Sequence, residues 1–205
     1  MKIYILRHED RTQDCSFFSP LTSLGLERSE ILVENLNNCN INFIFSSPFI
    51  RTLQTIRPFS IKKNIKINLE YGLSEIHHED IIPKKAVGNL IPEYLANDYN
   101  YNCSYKSIIK HTKIKYPEKY TDVVKRVTII LHNLIKKYFT TDYNILIVTH
   151  QSLCCAILEI INNKSKILKE SSPNLLNINS RLLTDYPKGK LCLVFNDGWD
   201  FKVIN

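Results

Sequence analysis

A chain of 205 residues, 44% hydrophobic and 23% charged, is long enough to bury a core and too evenly mixed to be a disordered segment. Its 27 Lys+Arg outweigh 20 Asp+Glu for a net charge of +7, and the lysines are spread along the chain, which favours a phosphorylated partner over nucleic acid. No apolar run approaches the roughly 18–20 residues that span a bilayer, and the N-terminus turns charged too early for a secretory leader, so the expectation is a soluble, cytoplasmic protein with no membrane partner.

In chain order, residues 3–6 form a short apolar run, the first strand expected. Thr22 then stands as an N-cap before a helical pattern whose apolar face carries Leu32, Val33 and Leu36. Residues 42–45 are the second strand, and Ser46-Ser47-Pro48 reads as a helix start, with the proline at the first helical position. Residues 65–69 give a weaker third strand. Residues 76–120 are broken by Pro83, Gly88, Pro92 and Pro117 and read as short helices and loops. Thr121 is the expected cap of the best helix, with Val123, Val127, Ile130, Leu131, Leu134, Ile135 and Tyr138 at helical spacing. Residues 145–148 are a fully apolar strand, followed by a helix marked by Leu153, Ala156, Ile157, Ile160 and Ile161. The end is a hairpin: 191–195, an Asn196-Asp197-Gly198 turn, then 199–204.

Strands alternating with helices imply an α/β three-layer sandwich: a mostly parallel central sheet, helices on both faces and an antiparallel edge strand. The chain shows no repeat or linker, and one domain over 1–205 is expected, with an inserted cap-like segment at about 76–120. The six cysteines have no metal-ligand spacing and read as free thiols. His77-His78-Glu79 reads as solvated loop rather than a metal site, and Tyr94, Tyr99, Tyr101 and Tyr105 as packing for the inserted segment.

Ligands bind beyond the carboxyl ends of such strands. There the sequence places Arg7-His8 after the first strand, Ser46-Ser47 and then Arg51 after the second, and Thr149-His150 after the late one. Two arginines and two histidines converging on one sheet edge suit a compact dianion, phosphate above all, because the guanidinium fork matches its oxygens.

These motifs resemble those of the histidine phosphatase superfamily, which includes the phosphoglycerate mutases. Leu6-Arg7-His8 is similar to its R-H signature, Leu21-Thr22-Ser23-Leu24-Gly25 to its L-T-x-x-G, the stretch from Ser46 to Thr55 to its S-S-P-x-x-R-[AT]-x-Q-T, and Ile147-Val148-Thr149-His150 to its late V-[ST]-H. Arg7-His8-Glu9-Asp10-Arg11 and Tyr71-Gly72-Leu73-Ser74-Glu75 resemble the eukaryotic phosphatase branch of the ubiquitin-associated, SH3-containing type. Glu9 departs from the pattern, since a small residue usually follows the histidine. The carboxylate must point away from the phosphate or pair with Arg11.

The resemblance implies a phosphoglycerate mutase-like fold and a phosphomonoester hydrolase with His8 as nucleophile, Arg7, Arg51 and His150 around the phosphoryl group, and Glu75 as the acid for the leaving group. Arg11, Thr22 and Gln151 are assigned to substrate binding. No metal or other cofactor is implied, because the arginines supply the positive charge. The substrate is a phosphorylated small molecule or phosphopeptide. A phosphoglycerate mutase-type phosphotransferase is the alternative, against which stands the lack of any arginine in 76–120. A binding module whose catalysis Glu9 has spoiled is a second alternative.

Overall fold

The first apolar run becomes β1 (Lys2–Arg7), whose middle four residues are buried, Ile3 and Ile5 on one face and Tyr4 and Leu6 on the other. Burial on both faces is what an uninterrupted apolar run provides and an alternating one does not. The computed structural model describes all residues except 15, 85–89, 169–179 and 197–198. Within it β1 pairs in parallel with β4 (Asn144–Thr149), β4 with β2 (Ile41–Ser46), and β2 with the three-residue β3 (Ile67–Leu69). On the other side β5 (Leu191–Asn196) runs antiparallel to β1, and β6 (Trp199–Val203) antiparallel to β5. The strand order is β3-β2-β4-β1-β5-β6. This is the expected three-layer α/β arrangement with its antiparallel edge.

Helices α1 (Ser23–Asn37) and α2 (Ile50–Lys63) cover the face that carries Tyr4, Leu6, Ile44, Leu146 and Val148. The opposite face, with Ile3, Ile5, Phe45, Ile145 and Ile147, is covered by α4 (Tyr120–Tyr138) and α5 (Gln151–Leu168). Each fully buried aliphatic side chain in these layers contributes about 1.5–3 kcal/mol. The crossover from β1 runs through α1 on one face and that from β4 through α5 on the other. The two diverge between neighbouring strands and open a crevice at their carboxyl ends.

Several boundaries differ from expectation. Helix α2 starts at Ile50 with Phe49 as N-cap, so Pro48 precedes the helix instead of opening it. The cap of α4 is Lys119, not Thr121, because the Asp122 carboxylate accepts the Lys119 N–H at 3.2 Å and fixes the first turn earlier. Strand β3 begins at Ile67, since Asn64 ends α2 at φ 53° and Ile65 N is drawn back to Ser60 O at 2.9 Å. The turn expected at Asn196-Asp197-Gly198 includes 197–198, and the break at Gly88 lies in 85–89; both fall outside the described residues.

The segment after β3 opens with the single-turn helix Tyr71–Leu73 and holds two more, Glu93–Leu95 and His111–Lys113, and the short α3 (Ala96–Tyr99). It returns along the outer edge of β3: Ile67 N donates to Asn100 O at 3.0 Å and Asn102 N to Ile67 O at 2.8 Å. Tyr101 is buried there, but Tyr94 is 79% exposed and packs nothing of the segment, against expectation. Buried Glu70 fastens a second stretch. Its carboxylate accepts the backbone N–H groups of Ile108 and Ile109 and the hydroxyls of Tyr105 and Ser107, all at 2.7–3.1 Å. The remaining helix, α6 (Ser180–Thr184), packs on α5. Among the described residues no helix is long and apolar enough to cross a membrane.

Candidate active site

The sheet ladder runs on past the strands into the crevice. His8 N donates to Thr149 O and Ser47 N to Val148 O, each at 3.0 Å. Main-chain bonds thus place the residues that the sequence pointed to, and the His8 and His150 rings meet edge to face with centroids 5.3 Å apart.

His8 is buried, and its Nδ1 lies 2.7 Å from the carbonyl oxygen of Glu9. A carbonyl only accepts, so Nδ1 carries the ring proton and Nε2 keeps a free lone pair. Burial first, then the charge of Arg51, pushes the imidazole well below the ordinary histidine range, so it is neutral near pH 7. His150 is fully buried and its Nε2 lies 2.7 Å from Ser47 Oγ, which itself accepts the Phe49 N–H at 3.4 Å. With the serine donating to Nε2, the ring proton sits on Nδ1. That Nδ1 has no hydrogen-bond partner among the described residues and lies 3.8 Å from Glu75 Oε2. Burial, followed by Arg51, lowers the His150 pKa too.

Arg51, 1% exposed, stacks its guanidinium over the Phe49 ring at 4.5 Å and donates to Ser16 O at 3.1 Å. Arg7 donates to Tyr186 O, while its buried Nε has no partner among the described residues. Two buried nitrogens, Arg7 Nε and His150 Nδ1, are thus left over at neighbouring strand ends among the described residues. A buried donor without a partner costs about 1–3 kcal/mol, and such groups call for an explanation. An anion within reach of both would supply it.

Glu75 arrives on the loop after β3. Its carboxylate accepts the Ile76 N–H at 3.0 Å and the Ser152 hydroxyl. The loop is clamped by a buried ion pair, Arg126 Nε to Glu118 Oε1 at 2.8 Å. The same guanidinium also donates to the carbonyls of Gly72 and Glu75, and the same carboxylate accepts the His77 N–H at 2.9 Å. His77 is therefore buried, not solvated, and burial lowers its pKa to about 4. Sequence reasoning missed this clamp and Ser152; an arginine in a helix and a glutamate before it carry no signal of where they point.

Glu9 turns its carboxyl away from Arg7 and Arg51. It is buried with its carboxyl against Gly189, where an added Cβ would come within 1.9 Å of Oε1, and Gly189 holds φ +65°. Its charged neighbours are Arg28, Asp10 and Lys188, and burial raises its pKa. Arg11 does not pair with it: Arg11 donates to the carbonyls of Thr12 at 2.6 Å and Asp14 at 2.8 Å, and its charge reaches His8. Thr22 caps α1, accepting the Gly25 N–H at 3.1 Å and donating to Asp10 Oδ2 at 2.8 Å. A Cβ on Gly25 would meet Asp10 O at 2.0 Å, so the L-T-x-x-G stretch lets α1 seat closely on the loop after His8. Gln151 opens α5 and donates to Thr184 O and Asp185 Oδ1, each at 3.3 Å.

Beside Glu75 a cavity of about 590 Å³ opens, walled by Gln151, Ser152, Cys155, Glu159 and Tyr120. A different groove, of about 500 Å³, holds Lys110, Lys113, Lys115 and Lys125 over an isoleucine floor. Among the described residues no group of three or more His, Cys, Asp or Glu could hold a metal ion.

Against known proteins, a model of the histidine phosphatase superfamily (branch 1) matches residues 5–197. The crystal structure of an ecdysone phosphate phosphatase from Bombix mori, in complex with tungstate, is similar at 15% identity and TM-score 0.72, over 98% of this chain and 91% of that one. A structure described as an alpha-ribazole-5'-P phosphatase from Escherichia coli is similar at 18% identity and TM-score 0.64, over 100% and 96%. A mycobacterial glucosyl-3-phosphoglycerate phosphatase with inorganic phosphate gives 13% identity and TM-score 0.63, over 98% and 94%. At such identities the likeness is one of fold. A search of curated proteins finds no match.

Proposed function

The chain belongs to the histidine phosphatase superfamily, and from that premise we propose that it is a metal-independent phosphomonoester hydrolase working through a phosphohistidine on His8. The observation that carries this reading is the His8 tautomer: Nδ1 is tied to the Glu9 carbonyl, and Nε2 is left as a neutral nucleophile between arginines. The phosphoryl oxygens take Arg51, Arg7 Nε and His150 Nδ1. These donors stabilise the charge that builds on the equatorial oxygens in transit. Nε2 attacks phosphorus as the ester oxygen leaves, and Glu75 gives that oxygen its proton. Water then attacks the phosphohistidine, Glu75 takes the proton back, and inorganic phosphate departs.

The arginines carry out the charge neutralisation that a metal provides elsewhere. A cytoplasmic phosphorylated small molecule or phosphopeptide is the proposed substrate. Arg7-His8-Glu9-Asp10-Arg11 and Tyr71-Gly72-Leu73-Ser74-Glu75 support a place beside the eukaryotic phosphatases of the ubiquitin-associated, SH3-containing type. Glu9 turns its carboxyl toward Gly189, which favours an active enzyme over a spoiled binding module. The test is rapid quench with phosphate-labelled substrate and peptide mapping: acid-labile label on His8 is expected. Label on another residue, or none during turnover, overturns the mechanism.

A further inference from the structure

The wall of the site on the leaving-group side has a chemistry opposite to that of the chain as a whole. We infer that the protein selects phosphomonoesters of uncharged, largely apolar alcohols, and that Glu159 excludes a leaving group bearing a second anionic group. This rests on hydrolysis at His8 with Glu75 as the proton donor.

The cavity beside Glu75 is of a size that suits a small organic group. Glu75 and, on α5, Glu159 both line it, and the Tyr120 hydroxyl is hydrogen-bonded to Glu159. Asp185 lies just beyond, against Gln151. Among the described residues no lysine or arginine lines the cavity, in a chain of net charge +7. Lys110, Lys113, Lys115 and Lys125 line the other groove, together with Glu118 and Arg126. Ile81, Leu183 and Cys155 give the cavity apolar surface, and Gln151 and Ser152 give it hydroxyl-scale polarity. A carboxylate or second phosphate brought there meets the like charge of Glu159 and, among the described lining residues, no lysine or arginine to offset it. An alcohol with apolar surface meets no such penalty.

The experiment compares 3-carbamoylphenyl phosphate with its near-isosteric partner 3-carboxyphenyl phosphate, beside phenyl phosphate. The expected kcat/KM ratio, carbamoyl over carboxy, is on the order of tenfold or more. It should shrink severalfold in Glu159→Gln and invert in Glu159→Lys; the ratio within one variant is independent of how much of that variant is folded. Equal values for the two esters in the native protein, or a ratio untouched by Glu159→Gln, overturns the inference while leaving the phosphatase standing. If no ester is hydrolysed, the failure falls on the reading of His8. The same pair is then compared by calorimetric binding, where indifference to the carboxylate overturns the charge selection as well.

Discussion

His8 and Glu75, proposed to work on opposite sides of one P–O bond, are held by different kinds of structure. His8, with Ser47 and His150 beside it, is set by parallel-sheet hydrogen bonds that continue one residue past the strand ends. Glu75 sits on a loop whose carbonyls and neighbouring N–H are gripped by side chains, Arg126 and Glu118, from distant parts of the chain. The phosphoryl half is thus tied to the sheet through its main chain, and the leaving-group half through side chains, the buried ion pair together with the Thr149 hydroxyl on Leu73 O. Substitutions should separate the two.

The largest effects belong to the phosphoryl half. His8→Ala should abolish turnover. Arg51→Ala should lower kcat/KM by about 10²–10³ and weaken vanadate binding, with Arg51→Lys recovering only part, because a point charge does not replace the fork. Undiminished vanadate binding in Arg51→Ala, measured by inhibition, would break the comparison at its first step.

On the other half, Glu118→Gln leaves the Arg126 charge buried and unpaired. A loss of about 3–5 kcal/mol in denaturant unfolding is expected. The paired change Glu118→Leu with Arg126→Met should return much of that stability without restoring the rate on alkyl phosphates, since the carbonyls of Gly72 and Glu75 stay ungripped. Full recovery of both would make the pair a matter of stability alone.

Glu75→Gln should slow alkyl phosphates by about 10²-fold and nitrophenyl phosphate far less, whose leaving oxygen hardly needs a proton. An equal loss on both esters would remove Glu75 from the acid's role.

The last effect is on pH. His8, His77 and His150 have folded pKa values below that of the unfolded chain, which therefore binds protons the fold refuses. Stability should be untouched by these groups above pH 6.5 and fall below it, by about 1.4 kcal/mol per pH unit for each histidine held neutral. For His77 the fall ends near pH 4. His77→Asn should flatten the slope measured by thermal unfolding across that window, whereas a slope unchanged by it would show that His77 titrates normally.

The same division explains what could be read from the sequence. Apolar runs that end in Arg7-His8, Ser46-Ser47 and Thr149-His150 announce both strands and site, because parallel strands of similar length must present their ends together. The grip on Glu75 depends on a partner 41 residues from His77, and no periodicity predicts that. His77 looked solvated among polar neighbours and is buried because the Glu118 carboxylate draws its backbone inward. Thr22, assigned to substrate, has its hydroxyl engaged with Asp10 and Gly25 instead. Lysines 110, 113 and 115 carry no signal in the sequence of which wall they line, which the path of the inserted segment settles.

That path has one more consequence. Strand β3 is the last in the sheet on its side, and its Ile67 N–H and C=O would face outward were they not taken up by Asn100 and Asn102. An open strand edge is a template for another chain, whatever its side chains. The inserted segment covers that template at Ile67. A shortened protein without it would bare the backbone at β3 to a second chain, whether or not His8 could still accept a phosphoryl group.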